Sequence, residues 1–479
     1  MIKNYKINPL ALLLFFILHI NVTFCPHKQL HDIIKSSTVI TDLQTAQENN
    51  ALADATKARA IKEWTFITYM AADNDLAPFA RKNLKQQADV GSTQYINIVT
   101  QLDTRIAGNK KITKRYYIEK DKYIATNEKD PHTQKMDSGL PATLIDCCKW
   151  AIQNYPARHY ALVLWNHGSG AIDFGPRKSI NPSPLFMFNP ESNLLELDRS
   201  IPFIDYIHAM YYPDHRGICF DDSTGHYLSN QDLEYALRTI CSTLLGGRKF
   251  DLICFDACLM AMLEIANIVK DFADFMPASE EVELGTGYNY YTILKPFETR
   301  SLDKKSFAQH IVQCYGAAYG NITKDYTQSA LDLSCATALE QSVDRIAQYL
   351  IEALKIQKNN TVREAIKISR HKLYCTYFDE PNYLDLHHLL RNFAANSKKF
   401  EFTNQQSGKA LVNDLHEEIK KALALLEKMV IANVSGKNLA QARGISIYFP
   451  ERKIYPSYQK TKFAQSNNWF TLIKYFLAA

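Results

Sequence analysis

Short, strongly apolar runs that each stop at a small polar turn, and that alternate with helix-patterned stretches, constrain this chain more than any other feature. Trp64 to Met70 is β-branched and aromatic, and it ends at Ala71-Ala72-Asp73-Asn74-Asp75. Tyr95 to Leu102 is the next such run, and Lys114 to Glu119 reads as its hairpin partner. Tyr160 to Trp165 ends in Asn166-His167-Gly168-Ser169-Gly170, and Asp251 to Phe255 runs into Asp256-Ala257-Cys258. Asp274 to Ala278 and Gly444 to Pro450 complete the set. Between them, Pro78 to Ala88, Leu140 to Gln153, Gln231 to Leu245 and Leu259 to Val269 have helical composition or spacing. Further on, helices dominate: Lys304 to Tyr319, Ser334 to Lys358, Val362 to Ser369 and Asp414 to Ile431. This alternation predicts an α/β domain with a mostly parallel sheet between helices. Runs such as Ala161-Leu162-Val163-Leu164 suit a sheet covered on both faces.

The chain has 479 residues and is 46% apolar, enough for a large core, while 22% charged residues argue against general disorder. Its net charge is only +5 and no dense Lys/Arg block occurs, which argues against nucleic-acid binding. Lys3 and Lys6 precede an apolar run from Leu10 to Leu18, the pattern of a signal peptide over residues 1–25. Cys25 follows as a lipid-anchored cysteine would, although Phe24 stands where a lipoprotein signal wants a small residue. The expectation is an exported protein that is secreted, periplasmic or held at the envelope, with membrane contact only through an N-terminal lipid anchor. Residues 26–62 read as a polar linker or pro-segment, 63–300 as the α/β core, and 301–479 as a helical addition closing with the strand at 444–450. Residues 171–215 are rich in Pro, Asn and Ser and read as a long surface loop. The ten cysteines show no regular spacing, and neither CxxC nor HExxH occurs, so zinc has no support.

In open α/β sheets, ligands sit beyond the C-terminal ends of the strands. Two such ends carry reactive side chains, His167 and Cys258. Cys258 is expected at a helix N-terminus, where the dipole favours the thiolate, the nucleophilic form. Cys254, inside its apolar strand, reads as packing. An imidazole exchanges protons near neutral pH. The N–H groups of Gly168 and Cys258 are candidate donors to an oxyanion. Taken singly, a strand-end Cys or a loop His is more often structural than catalytic; the pairing at two strand ends is what carries the reading.

The layout, an apolar strand ending in His-Gly and a later one ending in Asp-Ala-Cys, resembles the caspase, gingipain and legumain clan of cysteine peptidases. Its details resemble the clostripain family. The matching stretches are WTFITYMAADND (64–75), LWNHGSG (164–170), RGICFDDSTGHYL (216–228), DLICFDACLMAMLE (251–264), ASEEVELGTGYNY (278–290) and GISIYFP (444–450). They run in family order over residues 62–479. The resemblance implies a caspase-like α/β/α sandwich and an endopeptidase that cuts after Arg or Lys, with Cys258 as nucleophile and His167 as its acid–base partner. It assigns Asp256 to recognition of the basic side chain; the alternative is an Asp capping a helix that starts at Cys258. Some members carry a second acidic residue where Thr286 stands, which leaves Arg against Lys open. Self-cleavage after Arg177 or Lys178 is expected, with Arg199 and Arg216 later in the same loop. No cofactor is needed for the chemistry. Some relatives need calcium, for which Asp221-Asp222 and Asp73-Asn74-Asp75 offer hard oxygen ligands. Two other readings use the same residues: a catalytically silent binding protein, and a transpeptidase.

Overall fold

The computed structural model describes residues 61–106, 110–172, 185–200, 203, 205 and 217–478. The export segment with Cys25, the linker up to residue 60, and Arg177, Lys178 and Arg216 lie outside the described residues.

The first strands are β1 (Lys62–Ala72), β2 (Ile96–Ile106), β3 (Lys110–Glu119), β4 (Lys122–Ala125) and β5 (Ala157–Trp165). Two small hairpins follow, β6 (Phe186–Asn189) with β7 (Leu194–Leu197), and β8 (Ile218–Asp221) with β9 (His226–Leu228). Then come β10 (Phe250–Asp256), β11 (Ala273–Ala278), β12 (Thr327–Asp332), β13 (Tyr383–Asp385), β14 (Val430–Ser435) and β15 (Ser446–Tyr448). Nine strands form one sheet in the order β14-β12-β11-β10-β5-β1-β2-β3-β4. Its centre, from β11 to β2, is parallel. The β3–β4 edge and the β12–β14 edge are antiparallel.

Alternate residues of β1 show why the sheet is covered twice. Thr65 donates to the Tyr155 carbonyl (2.5 Å) and Tyr69 to that of Ser138 (3.0 Å), on the side of the helix Pro141–Asn154. Trp64 and Phe66 point the other way and meet Phe307 of the helix Lys304–Tyr319, with ring centroids 5.1 and 6.1 Å apart. Helix Ala77–Ala88 lies on that second side, where Asn83 accepts from the Trp165 indole at 2.9 Å. The result is the expected three-layer α/β/α sandwich, with Ala161, Leu162, Val163 and Leu164 fully buried at its centre. None of the described helices is long and apolar enough to cross a membrane.

Three local expectations need correction. The helix predicted from Leu259 begins at Leu263. Residues 259–261 instead run along 279–281, with Leu259 N–H bonded to the Glu281 carbonyl (3.2 Å) and Ala261 N–H to that of Ser279 (2.8 Å). These long-range bonds, and Leu259 at φ +62°, outweigh the helical spacing. The helix predicted over 414–431 spans Gln405–Met429, and the β-branched stretch that follows it becomes β14. The loop 171–215 contains the β6–β7 hairpin. Residues beyond 300 thus add two strands, β12 and β14, to the same sheet as the core.

Candidate active site

Strands β5 and β10 are parallel neighbours, paired from Ala161–Leu252 to Trp165–Asp256. The same register extended by two residues sets His167 opposite Cys258. Sheet pairing alone therefore brings together two strand ends that are far apart in sequence. Gly168 locks them: a Cβ there would lie 2.5 Å from the Cys258 carbonyl oxygen and 2.9 Å from the Met260 side chain. Only glycine lets the two loops touch. Gly170, at φ +67°, is enclosed in the same way by Met262, Leu259 and Tyr383.

His167 is buried, and its Nε2 lies 2.8 Å from Asp75 Oδ1. Asp75 reaches it because the turn after β1 is pinned by Asn74, whose amide donates to the carbonyls of Ala71 and Phe220, both at 2.9 Å. Asn166 accepts from the Phe220 N–H at 3.0 Å and so ties the same three segments together. The carboxylate thereby fixes the orientation of the imidazole ring through Nε2. Sequence reading had Asp75 only as a calcium ligand. Its signal as a histidine partner was its place at the end of the strand next to β5.

Cys258 lies between β10 and the helix Leu263–Val269, not at the helix N-terminus. The expected helix-dipole activation is therefore absent. Burial pushes the thiol well above its usual range, and Glu283, Glu281 and Asp379 push it the same way. The Glu283 N–H, which donates to Sγ at 3.2 Å, opposes them. The thiol is thus protonated at neutral pH in this form, and catalysis needs the proton to leave as the bond forms. Cys254 is buried in β10 with its thiol also raised, as expected for packing.

Asp256 is buried beneath the Gly285–Gly287 loop, accepting from Tyr288 N–H (2.9 Å) and the Tyr290 hydroxyl (2.7 Å). A Cβ on Gly287 would come within 2.4 Å of its Oδ1. No helix starts at Cys258, so the capping alternative falls. Thr286, which stands where some members carry a second acid, hydrogen-bonds Tyr319 at 2.8 Å.

Two residues of the 171–215 loop reach the site. Phe203 is buried, with its ring centroid 5.9 Å from that of His167. Arg199 pairs with Glu281 at 2.6 Å and with Asp325 at 3.6 Å. Described parts of this loop therefore pack against His167 and pair with Glu281.

The calcium expectation does not fit the donor set. Asp73 and Asp221 do converge, joined by Asp103, but on the ammonium of Lys111, at 3.2 Å from Asp73 and 3.0 Å from Asp103. Arg105 pairs with Asp73 as well. Among the described residues no cluster of His, Cys, Asp or Glu is arranged to hold a metal.

The geometry suits acyl transfer by a thiol, and the comparisons agree. The family model described as "Clostripain family" matches residues 68–179 and 205–476. Clostripain of Hathewaya histolytica is 23% identical over 468 residues, covering 85% of this chain and 79% of that protein. Among solved structures, an inactive zymogen C11 protease from Parabacteroides distasonis superposes with TM-score 0.54 at 16% identity, covering 87% of this chain and 99% of the other. A secreted C11 cysteine protease from Bacteroides thetaiotaomicron, in complex with an irreversible peptide inhibitor, gives TM-score 0.52 at 17% identity over 86% of this chain and 99% of the other. With strands β5 and β10 delivering a histidine and a cysteine to one place, and a family match over most of its length, the chain belongs to the clostripain family of cysteine peptidases.

Proposed function

We propose that this peptidase cleaves peptide and protein substrates after Arg or Lys, using Cys258 and His167, and that it is made as a self-processing precursor. The β5–β10 register, which sets the strand ends before His167 and Cys258 side by side, is the observation that carries this. Cys258 Sγ attacks the scissile carbonyl carbon, and the N–H groups of Gly168 and Cys258 receive the charge that develops on its oxygen. His167 takes the thiol proton as the S–C bond forms and passes it to the leaving amine as the C–N bond breaks; water then hydrolyses the thioester, releasing the carboxylic product and restoring the thiol. Asp256, buried two residues before the nucleophile, supports a basic side chain as the group recognised. The contacts of Phe203 with His167 and of Arg199 with Glu281 support a closed precursor, opened by a cut after Arg177 or Lys178. The Parabacteroides relative is described as an inactive zymogen and the Bacteroides one as secreted. Both descriptions suit this chain, the second together with the N-terminal export pattern. We infer too that calcium is not required, since Lys111, Arg105 and His167 already pair with the carboxylates named for it.

The test uses residues 26–479 and the Cys258→Ala variant on reporter peptides ending in Arg, Lys, Asp or Asn. Cleavage after Arg or Lys by the wild type alone is expected, and the purified variant should stay uncut at Arg177 and Lys178. Cys258-independent cleavage, or none after any of the four, would overturn the reading.

A further inference from the structure

Glu283 is buried directly under the nucleophile: its N–H donates to Cys258 Sγ at 3.2 Å. No N–H or hydroxyl donor among the described residues reaches either of its carboxyl oxygens. The acid that acts on it is Asp256, whose carboxyl pushes that of Glu283 up. Asp256 itself has two donors, Tyr288 N–H and Tyr290 Oη. No described cation forms an ion pair with either acid. Such a bare carboxyl pair is costly to bury unless something completes it.

We propose that Glu283 is a second specificity-determining residue, forming with Asp256 a paired-carboxyl receptor for the substrate's basic side chain. The inference rests on the reading that the enzyme cuts after Arg or Lys. It answers what Thr286 left open, because the second acid is supplied three residues earlier and from beneath. Two carboxyls fit a guanidinium fork or an ammonium better than one. Tyr288, Tyr290, Tyr315 and Tyr319 surround the pair, with Cys254 and Cys258 beside it. Every one of these is uncharged at neutral pH, so nothing facing the pair supplies a competing cation.

Exchange of a proton for a cation follows. Burial pushes both carboxyls above the usual carboxylate range; Asp256 adds to the rise at Glu283, while the Tyr290 and Tyr288 donors oppose it at Asp256, so the empty pair keeps a proton. An incoming Arg or Lys favours the ionised pair, and binding releases that proton to solvent. The ionised receptor becomes more abundant as pH rises, so KM for basic substrates should fall as pH rises through neutrality.

The experiment measures kcat and KM separately from pH 5.5 to 8.5, on reporters with Arg, Lys or citrulline (the neutral isostere of Arg) before the scissile bond. Wild type, Glu283→Gln and the conservative Glu283→Asp are compared. In Glu283→Gln, KM for Arg and Lys should rise roughly 10-fold or more, as expected for loss of a charged hydrogen-bond partner, with kcat within about 3-fold. The pH dependence of KM should flatten, and Glu283→Asp should restore part of both. Citrulline should respond to neither pH nor substitution. If wild type favours Arg and Lys over citrulline but Glu283→Gln keeps that ratio and pH slope, this inference alone fails. If wild type shows no such preference, the basic-substrate reading beneath it fails first. A fall in kcat shared by all three reporters would make Glu283 a support for Cys258 rather than a specificity residue.

Discussion

At the scale of single residues, the site depends on which atom faces which. The carboxylate of Asp75 fixes the Nε2 of His167, which sets the ring's orientation. Asp75→Asn keeps the shape but replaces a carboxylate acceptor with an amide that can present N–H to the same nitrogen. It is expected to lower kcat roughly 10- to 100-fold, the scale of a misoriented acid–base group, with KM within about 3-fold. A thermal melt unchanged from wild type would separate this positioning role from damage to the fold. An equal loss through KM would argue against it. Cys258 shows the opposite dependence on context: an element boundary predicts an activated thiolate, whereas its buried, acid-lined surroundings hold the proton on sulfur.

At the scale of elements, the helix Leu263–Val269 is anchored through a buried acid. Glu264 Oε1 accepts from the Tyr448 N–H of β15 (3.0 Å) and from the Tyr458 hydroxyl (2.9 Å), while Oε2 has no partner. Burial raises this carboxyl to about 7. Between its unfolded value and about 7 the folded chain holds a proton that the unfolded chain has lost. Stability from this group is therefore full at low pH and falls as pH rises through that window. Glu264→Gln mimics the protonated form. It should melt close to wild type near pH 5 and become relatively more stable by about 1–3 kcal/mol by pH 8. Melting curves at the two values test the sign. An advantage that shrinks as pH rises would contradict it.

At the scale of the whole molecule, charges buried between segments neutralise one another. Lys111 of β3 neutralises Asp73 after β1, Asp103 of β2 and Asp221 of β8 at one point. Removing one partner from a buried ion cluster typically costs about 3–5 kcal/mol, because the remaining charges are left uncompensated. Lys111→Ala should lose that much in denaturant unfolding. Wild type should show no change in melting temperature on addition of a calcium chelator; a marked drop would restore calcium to this protein. The sheet is also a whole-molecule feature, since β12 and β14 arrive from beyond residue 300 to extend an edge begun by β11.

The sequence by itself determined the central strands, because apolar runs and polar turns are local, and it determined which side chains stand at their ends: His167, Asp256 and Cys258. It did not determine their partners. Whether β5 lies beside β10, and in what register, is decided by packing across the sheet, and that register alone sets His167 against Cys258. The carboxylate of Asp75 reads as an acidic turn until β1 is known to neighbour β5. Leu259 to Met262 has helical spacing, yet backbone bonds to residues 279 and 281 hold part of it extended. Glu283 is one of three acids in a short motif, and only burial against Asp256 distinguishes it. Local periodicity is written in the chain; pairing, burial and the protonation they impose come from contacts between residues far apart in it.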